Sequence, residues 1–308
     1  MSAPYDSISL GPFACAFGDL ERKPADIADF DALWQAQSAD VEFATMGCGS
    51  FRTMSGPVET YVLDCVRRLL DEHGAPAGAI DHVIFATSDA CLEFLGRDFA
   101  VRILEAADLT NCVPTVLSFQ QCCSSLAALR YACDLFADED VSDVVVLTLD
   151  VTPRDDDRVR SFALFSDAVT GCVVSRGGSG PLRLVSTAVN VDHEGLLGRD
   201  SFLSRQQAAQ GAFTKVFRDS GEELAGVTKV FPTNLYRPVT LFNATITGVH
   251  RDQLHFAEPL ASYGHCGNGD WVINLVDYHT TVGIRSGETY LAQASAPGFF
   301  ACGLLVGT

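Results

Sequence analysis

Two adjacent cysteines sit in the segment Phe119-Gln120-Gln121-Cys122-Cys123-Ser124-Ser125-Leu126, where a strand pattern hands over to a helix. A thiol at a helix N-terminus meets unpaired N–H groups and the positive end of the helix dipole, which favour thiolate over thiol. Thiolate attacks an acyl thioester; an imidazole within reach supplies that state, and a carboxylate on the far ring nitrogen fixes the tautomer. The tetrahedral oxyanion then needs preorganised donors, each worth roughly 3 kcal/mol. The histidine that could serve is His265, in Tyr263-Gly264-His265-Cys266-Gly267-Asn268-Gly269-Asp270, with His255 in reserve; His193 reads as a loop residue or one that reaches the acceptor pocket. Each residue also has a bland reading. Cysteine is among the most buried residue types; a histidine in a Gly-rich loop is by default solvated; and Asp270 could cap an element starting at Trp271.

The elements that must position this turn are legible as alternating strands and helices. Tyr5 to Phe17 reads as a strand, Ala25 to Ser38 as a weak helix, and Val58 to His73 as a stronger one, with Val62, Val66, Leu69 and Leu70 on one face and Gly74 past its end. Asp81 to Ser88 reads as a buried strand, Leu95 to Ala107 as a helix and Val113 to Phe119 as the strand feeding the cysteines. Leu126, Leu129, Cys133 and Phe136 recur at helical spacing. Asp143 to Leu149 suits a central strand of a covered sheet, Arg154 to Arg160 a solvated loop, and Gly171 to Val174 a strand. Gly177 to Pro181 is the clearest linker. Beyond it come a strand at Leu182 to Val191, a largely helical stretch at Phe202 to Leu224, a strand at Val227 to Phe231, a helix at Pro238 to Thr247, and a closing hairpin of Glu288 to Ala294 with Phe299 to Val306. The alternation implies an α/β protein.

Composition narrows the function. The chain has 308 residues, 21 Lys and Arg against 39 Asp and Glu, and a formal net charge of −18. That balance argues against a nucleic-acid partner; the basic pair Arg67-Arg68 reads as a solvated helix face. No apolar run approaches bilayer-spanning length, and Met1 to Asp6 lacks the features of a secretory signal, so a soluble, cytoplasmic protein is expected, with no membrane partner. The eleven cysteines include no Cys-x-x-Cys pair, so neither a metal site nor a disulfide framework is expected; a reducing compartment suits them.

Three motifs carry a resemblance to the ketoacyl-acyl carrier protein synthase III proteins of the thiolase superfamily, over nearly the whole chain. Ser118 to Ser125 is similar to the family's nucleophile turn and puts the active cysteine at Cys123 rather than Cys122. Leu164-Phe165-Ser166-Asp167-Ala168-Val169-Thr170-Gly171 resembles its Gly-Asp-Gly-Ala-Gly segment with substitutions, Asp167 being a structural tie. Ser286 to Gly303 resembles the closing hairpin. The departures concern the decarboxylation machinery. In Phe231-Pro232-Thr233-Asn234, Thr233 stands where condensing members carry a histidine, and His265 stands where they carry an asparagine. The Arg-Thr-Gly-Ile motif lining the coenzyme entrance is missing.

This pattern resembles a divergent branch of antibiotic biosynthesis, in which a histidine replaces the asparagine and an aspartate follows five positions later, as His265 and Asp270 do. The resemblance implies a thiolase fold of two similar halves, 1–177 carrying the nucleophile and 178–308 carrying the base and hairpin, in a five-layered α-β-α-β-α sandwich. It implies a Cys123-His265-Asp270 triad, an oxyanion hole from the N–H groups of Cys123 and Gly298, and Thr233, Asn234, His193 and Phe299 as pocket residues. The expected activity is transfer of an acyl group through an acyl-cysteine to an oxygen or nitrogen nucleophile of a small natural-product intermediate. The resemblance also implies an acyl-coenzyme A or phosphopantetheinyl carrier substrate as donor, no tightly bound cofactor, and a homodimer, with a heterodimer as the alternative. The alternatives are a starter-unit synthase making a carbon–carbon bond by decarboxylative condensation, and a non-catalytic partner subunit.

Overall fold

The computed structural model describes residues 8–308 except 39, 40, 97, 179, 200 and 219. Residues 5–7 of the expected first strand, and single positions in the expected 95–107 and 202–224 helices and the 177–181 linker, lie outside the described residues. Eleven strands are described: β1 (Ile8–Phe17), β2 (Leu20–Arg22), β3 (Phe51–Thr53), β4 (His82–Thr87), β5 (Val113–Leu117), β6 (Asp143–Asp150), β7 (Ala168–Arg176), β8 (Leu182–Val191), β9 (Lys229–Phe231), β10 (Thr289–Ala296) and β11 (Phe299–Gly307). The α-helices are α1 (Phe30–Gln37), α2 (Val58–His73), α3 (Asp89–Leu95), α4 (Phe99–Ala106), α5 (Ser124–Leu135), α6 (Asp155–Arg158), α7 (His193–Leu196), α8 (Phe202–Arg218), α9 (Arg237–Thr247), α10 (Ala257–Tyr263) and α11 (Asp270–Thr281).

Nine strands form one sheet in the order β5-β4-β6-β7-β1-β8-β11-β10-β9. In the first part β4 pairs parallel with β5 and β6, while β7 runs antiparallel to both β6 and β1. The second part repeats the scheme: β9 and β10 are parallel, and β11 runs antiparallel to β10 and β8. The counterpart of β5 is reduced to a single parallel bridge, Val230 to Leu254. The two parts meet where β1 pairs with β8 over Ser9–Arg183 and Leu10–Leu182.

Alternation of side chains assigns the layers. Along β6, Val144 and Val146 enter a central core with α5 and α11, while Val145, Leu147 and Leu149 face α2 and α4; a strand covered on both faces reads as a continuous apolar run for this reason. Beyond the second part of the sheet, Ala208, Ala212 and Val216 of α8 and Ala244 of α9 pack on Leu291, Cys302 and Leu304. The result is a five-layered α-β-α-β-α sandwich with α5 and α11 in its middle. Helix α2 buries Val58, Val62, Cys65, Val66 and Leu69 and ends on Gly74 in the left-handed region, whose N–H donates to Leu70 O; a Cβ-free residue adopts that conformation without penalty.

Three expectations are corrected. The helix expected over 95–107 is the shorter α4, and α3, which precedes it over Asp89–Leu95, was not expected. Ser88 caps α3 by accepting the Cys91 N–H, and Gly96 ends it at positive φ. Helix α10 was not anticipated. The segment 154–160 is not simply a solvated loop: Arg158 is 4% exposed and pairs with buried Asp167 at 2.8 and 3.0 Å. Asp167 also accepts the Met54 and Thr152 N–H groups, so the buried cation is offset by a fully engaged carboxylate.

Candidate functional site

The turn after β5 is a 3-10 turn, Gln121–Cys123, that runs straight into α5. It is entered through Gln121 at φ +52, a left-handed conformation that costs an ordinary L-residue about 1–2 kcal/mol. The Gln121 N–H donates to Ser118 O, and the Cys123 N–H donates to Gln120 O at 3.0 Å. Successive residues of so tight a turn point in different directions, and the two cysteines therefore have different surroundings. Cys123 is completely buried in the central core, where Ala296 and Ala301 backbone groups hydrogen-bond its sulfur and burial pushes its thiol far up. Cys122 is partly exposed, and its Sγ lies 3.5 Å from His265 Nε2. The expectation of Cys123 as the sulfur beside the base is thus corrected to Cys122.

His265 is fully buried on the loop between α10 and α11. Its backbone bridges Phe165: the His265 N–H donates to Leu164 O, and the Ser166 N–H donates to His265 O. The Phe165 ring stands edge-on to the imidazole at 4.6 Å. On the far side of the ring, Nδ1 donates to Asp270 Oδ2 at 2.5 Å, which leaves Nε2 for the sulfur. Burial works against the imidazolium, but Asp270 and the Cys122 sulfur outweigh it and hold the histidine well above its usual range. Asp270 opens α11, buried; it also accepts the Cys266 N–H and the Asn234 N–H, each at 2.7 Å. The orienting reading of Asp270 therefore fits and the capping reading does not: its carboxylate accepts none of the first-turn N–H groups of α11 among the hydrogen bonds of the described residues.

Thr233 and Asn234 follow β9 and are buried beside this group. Thr233 Oγ1 accepts the Ser295 N–H of β10 at 3.0 Å. Asn234 Oδ1 accepts from Asn274 Nδ2, and its own Nδ2 is buried with no partner among the described residues. The hairpin turn closes at Gly298, φ +78, where a Cβ would lie 2.5 Å from Leu196 Cδ2. The Gly298 carbonyl accepts the Asp192 N–H, while its own N–H takes no backbone partner among the described residues, and neither does that of Cys122. The Cys123 N–H, expected to serve with Gly298 as an oxyanion donor, is instead committed to Gln120 O. Phe299 meets the exposed Phe119 ring at 5.8 Å beside the turn. His193 is exposed at the start of α7, the short helix that leans on Gly298. His255 is paired with Asp277 at 2.7 Å and packs against Tyr278 and Phe231, whereas it is His265 that contacts the sulfur of Cys122.

Two further residues at the site, Asp150 and Asn268, escaped the sequence reading. Asp150 ends β6, buried, and accepts the Asn268 N–H at 2.8 Å. The available signals were its place at the C-terminal end of a parallel strand, where α/β sites gather, and Asn268 in the same Gly-rich loop as His265.

A doubled β-sheet topology around two buried central helices, with a cysteine leading into one of them, defines the thiolase fold. Solved structures of that fold superpose over nearly the whole chain. They include ChlB3, an acyltransferase (TM-score 0.83, 15% identity, 98% of each chain), and OleA of Xanthomonas campestris (TM-score 0.82, 11% identity, 98% of each chain). A third is 3-oxoacyl-(acyl carrier protein) synthase III, FabH, of Xanthomonas oryzae pv. oryzae (TM-score 0.81, 11% identity, 98% of this chain and 99% of that one). No protein-family model and no curated protein matches the sequence. At these identities the shared property is the fold. Among the described residues no helix is long and apolar enough to cross a membrane.

Proposed function

We propose that this protein is an acyltransferase that carries an acyl group on Cys122, taking it from a coenzyme A or acyl-carrier thioester and passing it to an oxygen or nitrogen nucleophile of a small natural-product intermediate. The observation that carries the reading is the continuous chain from Cys122 Sγ through both nitrogens of His265 to Asp270 Oδ2. In the first half-reaction the Cys122 proton moves to His265 Nε2, the thiolate adds to the thioester carbonyl, and the carbon–sulfur bond to the carrier breaks. His265 returns the proton to the departing thiolate. In the second, an acceptor hydroxyl or amine gives its proton to Nε2 as it attacks the acyl carbon, and Cys122 leaves. The N–H groups of Cys122 and Gly298 would hold the oxyanion.

Condensation at the same cysteine instead needs donors that stabilise an enolate. Thr233, tied to Ser295 by its oxygen, is a poor replacement for a histidine there. A non-catalytic subunit would have no use for a buried His–Asp pair aimed at a partly exposed sulfur. The unpaired edge of β5, with Val113 and Val116 exposed, supports a homodimer through that strand. Incubation with acyl-coenzyme A followed by peptide mass spectrometry tests the reading. An acyl group on Cys122 that an amine or alcohol removes supports it. Release of carbon dioxide from a malonyl thioester would establish condensation instead, and the absence of any acyl adduct would remove the enzyme reading.

A further inference from the structure

Asp150 is buried under the loop that joins His265 to Asp270, and both of its oxygens are used there. Oδ2 accepts the Asn268 N–H at 2.8 Å and Oδ1 accepts Asn268 Nδ2 at 3.2 Å. The loop is pressed onto the carboxylate: Gly267 is at φ +54, and a Cβ on it would stand 2.1 Å from Asp150 Oδ1. Asn268 then reaches the opposite way. Its Oδ1 accepts the Ser125 N–H at 3.1 Å, its carbonyl accepts Ser125 Oγ at 2.9 Å, and Trp271 Nε1 donates to the same hydroxyl at 2.9 Å.

The positions joined are telling. Ser125 stands three residues after Cys122 at the start of α5, and Asn268 stands three residues after His265. The Ser125 N–H is one of the first-turn donors a helix leaves without an internal partner, and it is satisfied from the base's own loop. One asparagine therefore ties the nucleophile's helix to the base's loop, and one carboxylate holds that asparagine at both its backbone and its side-chain nitrogen.

We propose that Asp150, acting through Asn268, is a positioning residue that sets the contact between Cys122 and His265; this rests on the acyl-transfer reading of that pair. A reacting pair on separate elements loses rate steeply when displaced by even an ångström, and the Asp150–Asn268–Ser125 connection spans the gap between those elements. A carboxylate serves better than an amide because it accepts both nitrogens at once, whereas an asparagine offers a single acceptor oxygen. The charge of Asp150 is also set by its surroundings. Burial raises its carboxyl to about 7, opposed by the Asn268 hydrogen bonds and by His265 and reinforced by Asp270. Cys266 from the same loop and Cys91 from α3 face it as well. Protonation removes one acceptor from the clamp, so the clamp tightens as pH rises through neutrality.

The test is iodoacetamide alkylation of Cys122, followed by peptide mass spectrometry from pH 5.5 to 9, in the wild type, Asp150→Asn, Asn268→Ala and the double variant. The expected result is a fall in the Cys122 rate of about tenfold at pH 8 in each single variant, with no further loss in the double variant because both act through one connection. An inflection near neutrality present in the wild type should vanish in Asp150→Asn. A pH profile for Asp150→Asn that superimposes on the wild type, with cooperative melting retained, overturns the proposal. Should Asp150→Asn fail to fold, Asn268→Ala decides on the same criterion. Failure of the underlying reading looks different: there, His265→Ala leaves the wild-type Cys122 rate unchanged.

Discussion

Cys122 Sγ stands 3.5 Å from His265 Nε2, although the two residues come from different parts of the chain and from different central helices' leading turns. The neighbouring Cys123 is sealed in the core with no measurable exposure. Acylation or alkylation is therefore expected at Cys122. Cys122→Ala should lose the covalent adduct and about 10³-fold or more in turnover. Cys123→Ala should keep the adduct and cost about 1 kcal/mol in thermal unfolding, the scale of a small buried deletion. Intact-mass spectra of both variants decide; an adduct that disappears with Cys123 and survives loss of Cys122 contradicts the assignment.

Asp270→Asn removes the carboxylate that holds His265 in its tautomer, and turnover should fall by about 10²–10⁴-fold. A stability signature accompanies it. The folded His265 titrates above its unfolded value, so its contribution is complete below about pH 6.5 and is lost as pH rises through the raised folded value. The stability gap between wild type and Asp270→Asn, read from urea unfolding, should therefore narrow as pH climbs above 6.5. A gap that widens would contradict this.

Asp150 gives a profile of the same sign in a lower pH window. Its folded carboxyl is raised to about 7, whereas an unfolded aspartate titrates near ~3.9. Between those values the folded protein holds a proton that the unfolded chain has released, so stability declines as pH rises from about 4 to about 7 and then levels off. Asp150→Asn should flatten that window in a series of melting curves. An unchanged slope would show that the decline has another source.

Arg158 and Asp167 form a buried pair, each 4% exposed at the side chain. Asp167→Ala leaves the buried guanidinium with only its 3.3 Å contact to Asp155 and should cost about 3–5 kcal/mol, read by chemical denaturation. A loss under 1 kcal/mol would mean that water reaches Arg158 in the variant.

Gly298→Ala places a Cβ against Leu196 at a φ of +78, so the turn must shift. If its N–H serves the oxyanion, kcat should fall about 10²-fold with KM little changed. Equal kcat would exclude Gly298 from that role.

Much of the architecture was legible because local chemistry dictated it. Helix α2 and strand β8 begin and end where periodicity and punctuation placed them, at Val58 and His73 and at Leu182 and Val191, since amphipathic spacing and a following glycine are local signals. His265 and Asp270 were found through a resemblance of spacing, and the structure brings them together. What sequence alone determined was that a thiol would lead a helix after β5 and that a histidine–aspartate pair would lie in a later glycine-rich loop. Which of two adjacent thiols meets that histidine was decided only by tertiary structure, because the left-handed Gln121 and the 3-10 turn rotate Cys122 toward His265 and Cys123 into the core. The same holds for Asp150 and Asn268: their partners lie more than a hundred residues away, and no local pattern specifies a contact made only when the sheets close around α5 and α11.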